Sequence, residues 1–356
     1  MSSSLLTLEH LDPEHLDAAT RAIHNLVSSE IAESTFSQIV DGMPTFMSYV
    51  EFHDPPDDHP INDHETLCPG ALEKTRELRA GFEPLTLSFN SCAVQAFQDS
   101  EAGSNEFELR LFELVAIACH QIAVQLYQLD DGVHKHQEHE TWQAEAVSRL
   151  PKDRPYAGRL LPPATAFWHW HYKASHQYPN GIADVVGYWA EAKIFGGVVV
   201  FDRGETETEA KRVFLHASRY SGPRTLYPPT ESQHRELMKF LLSEPGTDPC
   251  PLPLLDSMDN RPRYEAYDAF AYFHVFRDRY ERVLPPERRI KDVCSTQDFP
   301  EIADRRYIIE KHWARATGES IDEAELAAAE ERLRNITPSS PCWTGPVPWN
   351  GTQSIR

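Results

Sequence analysis

Basic residues are scarce in this chain: 34 Lys and Arg stand against 55 Asp and Glu, a net charge of −21. That balance argues against nucleic acid as a partner, because a phosphate backbone demands clustered cations that the sequence nowhere supplies. The charge reads as solubility. Long apolar runs are missing too: no window approaches the roughly 18 uninterrupted apolar residues of a membrane span, and the N-terminus has no basic stretch ahead of an apolar core. A cytoplasmic protein without a membrane partner is expected. The six cysteines (Cys68, Cys92, Cys119, Cys250, Cys294, Cys342) form no CxxC and repeat no spacing, so neither a disulfide framework nor a zinc finger is indicated. Internal repeats, a glycine-rich phosphate loop and a Gly-x-Ser-x-Gly elbow are also lacking.

What the sequence does have is histidine, 17 in all, with seven of them between Ala116 and His176. His120 interrupts a long apolar run from about Asn105 to Leu129, and Glu113 precedes it by two helical turns, so one helix would hold both inward. His134-Lys-His-Gln-Glu-His-Glu140 opens a second expected helix through Arg149, and it sets His136, His139 and Glu140 at i, i+3 and i+4 on one side. Phe167-Trp-His-Trp-His171 follows Pro162-Pro163. Neutral imidazole and carboxylate are ligands that zinc, copper and iron accept, so a divalent metal is expected, with His120, His134, His136, His139, His169 and His171 as candidate ligands. The proline-rich loop from Glu51 to Glu65, which carries His53, His59 and His64, is held as a reserve metal site; a solvated loop is the preferred reading there. His216, at the end of an apolar strand, reads as a core histidine bonded to backbone.

Local patterns predict a mainly α-helical fold with a small β portion. Asp12 and Pro13 mark a helix start, and a second helix is expected from about Ser34 to Tyr49. Short helices are expected at Leu72–Arg79 and Ile182–Lys193. Gly196-Gly-Val-Val-Val-Phe-Asp202 is the clearest strand, and Val213-Phe-Leu-His216 returns it as a hairpin. Thr230 and Gln233 make a capping box for the next helix. An aromatic-rich helix over Arg263–Arg282 and charged helices at 302–315 and 321–335 complete the chain. The organisation reads as a helical, histidine-rich part at 1–195 and a part at 196–356 with the hairpin and the helices packed on it, forming one continuous unit.

Trp168-His-Trp-His171 resembles the His-rich helix at the first copper site of arthropod hemocyanins and prophenoloxidases, where two ligands are spaced His-x-x-x-His. Here Phe167 stands at the first of those positions, and no downstream His-x-x-x-His supplies a second copper. More widely, the chain is similar to fungal hemocyanin-like proteins of secondary metabolism, especially the cyclopenase type, which contract a benzodiazepinedione to a quinolone. This similarity rests on the histidine-bearing helix, the Trp-His-Trp-His stretch, and the blocks Gly196–Arg203, Arg224–Pro229 and Phe276–Tyr280. It implies a hemocyanin-like helical bundle core and one zinc ion in place of the copper pair. It also implies a small aromatic alkaloid substrate of the cyclopenin type, with Lewis-acid catalysis of ring contraction. Trp142, Trp168, Trp170 and Tyr172 would wall a flat bicyclic substrate, and Glu113 or Glu140 would shuttle the proton. The rival expectations are a type-3-copper-like oxidase or oxygen-binding protein, and a non-catalytic helical binding protein; an oligomer is compatible with each.

Overall fold

The computed structural model describes residues 4–129, 137–150, 162–278 and 295–347. Its organising element is α6, Asn105–Gln128, capped by the Ser104 hydroxyl and buried along most of its length. By length and composition α6 could cross a membrane, but most of its apolar window is inside the fold, so it is a core helix. Around it pack α1 (Pro13–Val27), α2 (Glu30–Asp41), α5 (Ser91–Gln98) and α8 (Ile182–Phe195), while α9 (Glu231–Leu242) lies on α1. One apolar cluster runs from Leu8 through Phe112 and Trp189 to Leu254, so helices and sheet share a core across residue 195. Each Leu, Val or Phe sealed into it contributes about 1.5–3 kcal/mol against exposure.

Helix ends follow their capping residues. Asp12 accepts from the His15 amide and Thr230 forms the expected box with Gln233. The helix expected from Ser34 to Tyr49 is instead two pieces, α2 and α3 (Phe46–Val50). Gly42 ends α2 at φ 99°, in the left-handed region where a Cβ is costly, and Pro44 stops its continuation. β1 (Leu5–Leu6) pairs with β2 (Phe89–Asn90), and five further antiparallel strands form one sheet in the order β6-β5-β4-β3-β7. They are β3 (Val198–Asp202), β4 (Val213–His216), β5 (Thr225–Tyr227), β6 (Tyr264–Glu265) and β7 (Val275–Phe276). The hairpin pairs Val198 with His216 and Phe201 with Val213. Of the aromatic segment expected as one helix over 263–282, the part up to 278 gives β6, a short α10 (Ala266–Tyr272) and β7, because its apolar side chains serve the sheet as well as a helix, and 279–282 lie outside the described residues. At the far end α11 (Glu301–Ala316) and α12 (Glu323–Arg334) pack on each other.

A buried charged layer ties α6 to α8 and the sheet. Glu113 is held by Arg110 at 2.9 Å and Arg203 at 2.7 Å, and Arg203 also donates to the Phe276 and Arg277 carbonyls. Burial pushes the Glu113 carboxyl up, but the two guanidinium groups outweigh it and hold it below the usual carboxylate range. His120 sits between Glu191, 2.8 Å from Nδ1, and Asp184, 3.1 Å from Nε2, while Arg277 bonds the other Glu191 oxygen at 2.8 Å. Burial lowers the His120 pKa and the two carboxylates outweigh it, so the net shift is upward.

Candidate metal centre and its histidine neighbours

The expected clustering of histidines in one metal site gives way, among the described residues, to three groups, of which the second and third lie within electrostatic reach of each other through His169 and His53. His120 belongs to the charged layer above, with both ring nitrogens committed to carboxylates. His169 and His171 sit beside His216. The Nε2 of His169 donates to the His216 carbonyl at 3.0 Å, and its Nδ1 accepts from the His171 amide at 3.1 Å. His216 bonds the Tyr172 hydroxyl at 3.0 Å, and its ring lies 4.3 Å from that of His171. His139 is in the third group, with the loop histidines. His134 and His136 lie outside the described residues. Of the two expected proton carriers, Glu113 is locked between arginines, whereas Glu140 is exposed on the first turn of α7 (Gln137–Arg149).

The residues placed to hold a metal are Asp41, His64 and Cys68, which offer ligand atoms within 4.8 Å of one another. Asp41 is the last residue of α2, His64 closes the 3-10 helix Pro60–Asp63, and Cys68 precedes α4 (Ala71–Ala80). The glycine stop at residue 42 therefore fixes one ligand, and the loop folds back to deliver the others, with the Phe46 amide bonded to the His64 carbonyl at 2.7 Å. Asp41 Oδ2 stands 3.1 Å from His64 Nε2 and accepts the Cys68 amide at 3.0 Å. On the other side of the ring, Nδ1 donates to the Pro44 carbonyl at 2.8 Å, the support that fixes a ligating imidazole. A tetrahedral zinc with bonds of about 2.0–2.3 Å would space its donors by roughly 3.3–3.7 Å, so the 3.1 Å Asp41–His64 separation would open slightly, and no pair within the 4.8 Å group would close by more than about 1.5 Å.

Carboxylate, imidazole and thiolate together suit zinc, and a thiolate is a poor partner for magnesium or calcium. Among the described residues the group supplies three ligands, which leaves the fourth place of a tetrahedral site to a further residue or to a water. Hydrogen bonding to Asp41 raises the His64 pKa, and burial, with the Asp41 charge, pushes the Cys68 thiol up. Glu138, in the first turn of α7, is within electrostatic reach of both.

The next residue along α7, His139, faces the third histidine group. Its ring lies 5.4 Å from that of His59, with Trp142 at 4.3 Å from His59. Trp142 donates to Asp58 at 3.2 Å and Arg149 pairs with the same carboxylate, which docks α7 on the loop. His53 stacks on Trp168, ring centroids 3.8 Å apart and 6° from parallel, and Tyr49 bridges His53 and His59 at 5.1 and 5.2 Å. Burial drives both loop histidines down, His53 to about 3 and His59, with His139 adding to the shift, to about 4. Both are neutral at pH 7.

Of the expected aromatic wall, Trp142 and Trp168 flank these rings. Trp170 packs edge-on to Trp168 at 4.7 Å with half its surface exposed, and Tyr172 stacks on Tyr188 at 4.5 Å in the second apolar cluster. The sequence did carry the signal for the loop, in its alternating His and Asp. Asp41 and Cys68 gave none, because each is an isolated residue that only the fold brings to His64. Compared with family models, curated proteins and solved structures, the chain matches none.

Proposed function

We propose that the chain is a zinc-dependent enzyme of the hemocyanin-like, cyclopenase type, contracting the ring of a cyclopenin-like benzodiazepinedione. The observation that carries this reading is the Asp41, His64 and Cys68 group beside a cluster of neutral imidazoles and indoles, with consecutive residues of α7 facing both. Zinc bound there would supply Lewis acidity toward a hydroxyl or carbonyl oxygen. The chain's own residues divide the remaining work. Trp142, half-buried against His59, would offer an apolar face to an aromatic ring, whereas Trp168 is buried with His53 stacked on it and supports that wall from behind. Proton movement falls to the α7 carboxylates Glu138 and Glu140, since Glu113 is committed to Arg110 and Arg203. Separation of the described histidines into three groups weighs against a copper pair, which needs six converging imidazoles.

The test is elemental analysis of untagged protein, followed by incubation with a cyclopenin-type epoxide and mass spectrometry for the quinolone. One zinc per chain and turnover lost in His64→Ala are expected. Protein that carries no zinc, or that holds zinc and leaves the epoxide intact, overturns the reading.

A further inference from the structure

A cavity of about 300 Å³ lies between α2, the C-terminal half of α4 and the last turns of α6. Leu78, Ile122, Leu126 and Leu129 present branched alkyl groups to it, and Phe36 and Phe82 add two rings. No residue of the metal centre or of the three histidine groups lines it. The chain itself covers this apolar surface incompletely: Leu78, Phe82 and Leu126 are half-buried, and Leu129 is 40% exposed. Protein interiors pack to the density of organic crystals, so apolar side chains that converge on an open space leave contacts unmade that a ligand can make. The volume is about twice the roughly 150 Å³ in which an apolar cavity holds one benzene, which gives room for about ten carbon atoms.

The charges around the cavity cancel. Glu33 accepts from Arg76 at 2.8 and 3.2 Å and pairs with Arg79 at 2.6 Å, which places two guanidinium groups on one carboxylate. Glu83, exposed on the lining and without an ion pair among the described residues, balances the second cation. A charged ligand would therefore give up its hydration with no net charge to meet it, whereas a neutral one would not. Gln125 is also exposed on the lining, and its side-chain amide, bonded to no other described residue, can both donate to and accept from one hydroxyl. The Thr86 hydroxyl already donates to the Glu83 carbonyl at 2.7 Å, so it offers lone pairs alone. We infer that the cavity binds a neutral, largely aliphatic molecule of about ten carbons with a single hydroxyl. Its apolar body lies among Leu78, Phe82, Ile122 and Leu126, and its hydroxyl meets Gln125. The site stands apart from the reading above: it uses no metal and assigns no substrate to the zinc centre.

The test is calorimetric titration of the full chain with geraniol, a neutral aliphatic alcohol of that size, and with geranic acid and geranylamine, which keep its carbon skeleton and carry opposite charges at pH 7. Geraniol is expected to bind, and each ion about tenfold or more weaker. Leu126→Trp and Ile122→Trp fill the space from the α6 wall and should abolish geraniol binding while the circular dichroism spectrum stays that of the parent. Gln125→Leu removes the partner of the hydroxyl and should weaken geraniol about threefold to tenfold, for one lost hydrogen bond. No saturable binding of geraniol, an ion that binds as tightly as the alcohol, or a folded Leu126→Trp protein that binds as the parent does would overturn the inference. Should both tryptophan variants fail to fold, Leu126→Phe supplies a smaller fill, and the comparison of the three ligands on the parent chain decides. Zinc content and turnover enter none of these readouts, so failure here is distinguishable from failure of the zinc reading.

Discussion

Gly187 leaves the space that the His120 ring occupies: a Cβ at that position of α8 would lie 2.6 Å from His120 Cε1 and 2.7 Å from both ring nitrogens. The glycine sits mid-helix, where it costs about 0.5–1 kcal/mol relative to alanine, so the close seat for the imidazole offsets a propensity loss. His120 and its carboxylates therefore read as the join between α6 and α8.

From this join follows the first prediction. His120→Ala leaves Glu191 and Asp184 short of a buried partner, which should cost about 3–5 kcal/mol, while zinc content per folded chain stays unchanged. Gly187→Ala should destabilise by displacing the ring, although alanine is the better helix former. Thermal unfolding with elemental analysis of the folded fraction checks both; zinc loss in His120→Ala at full stability would return His120 to the ligand set.

Metal retention provides the second prediction. Asp41→Asn, His64→Ala and Cys68→Ala should each remove zinc and lower the melting temperature as far as a chelator lowers the parent's. The stabilisation at stake is about 2.7 kcal/mol when free zinc is a hundredfold above its dissociation constant. His171→Ala, whose ring lies against His216, should retain zinc. His136 is one of the ligands expected from the sequence, with His139 and Glu140 on the same side of its expected helix, so His136→Ala belongs in the same series, with metal loss as the expected outcome.

The histidine separation explains how far the sequence could be read. The long helix was legible because Phe107, Leu111, Leu114 and Val115 keep helical spacing, and the hairpin because five residues in a row from Val198 to Asp202 suit a strand. The capping box at Thr230 was legible because it is a local device. The candidate site was only half legible. Histidine density drew attention to 120–171, but density along the chain does not say which rings meet, and the fold sends His120, His139 and His169 to three places. Asp41 has no such signal, because the apolar spacing continues on both sides of the Gly42-Met-Pro44 stop and a buried carboxylate at a helix C-terminus has no distinguishing pattern in a row of letters.

A third prediction concerns pH. The folded pKa values of His53 and His59, about 3 and about 4, lie below the 6.5 of an unperturbed imidazole. Between those values the unfolded chain binds more protons than the folded one. Stability from keeping these rings neutral is therefore fully present above pH 6.5, and is lost as pH falls from there toward 4. Each ring contributes a slope of up to about 1.4 kcal/mol per pH unit. The depressed carboxylates Glu113, Asp184 and Glu191 act in the same direction but at lower pH, below the ordinary carboxylate range. Denaturant midpoints should fall from pH 6.5 through 5.5 to 4.5 in the parent and less steeply in His53→Gln, whereas above 6.5 the raised His120 acts in the opposite direction and these two rings contribute no slope; a flat profile between 6.5 and 4.5 would show that the rings are solvated.

The last prediction tests whether α7 must dock on the loop for the centre to work. Trp142 carries most of that docking, since it packs on His59 at 4.3 Å and donates to Asp58, whereas the Asp58 to Arg149 pair is half exposed and worth at most about 1 kcal/mol. Asp58→Asn should therefore change little. Trp142→Ala removes the indole that holds Glu138 and His139 against the loop, so it should cut turnover at least tenfold while Asp41, His64 and Cys68 still hold zinc. Trp142→Phe keeps the packing without the Asp58 bond and should recover most of the rate. Zinc loss in Trp142→Ala comparable to that in His64→Ala would instead make α7 part of the metal's own support, with Glu138, already within electrostatic reach of His64 and Cys68, as the residue to substitute next.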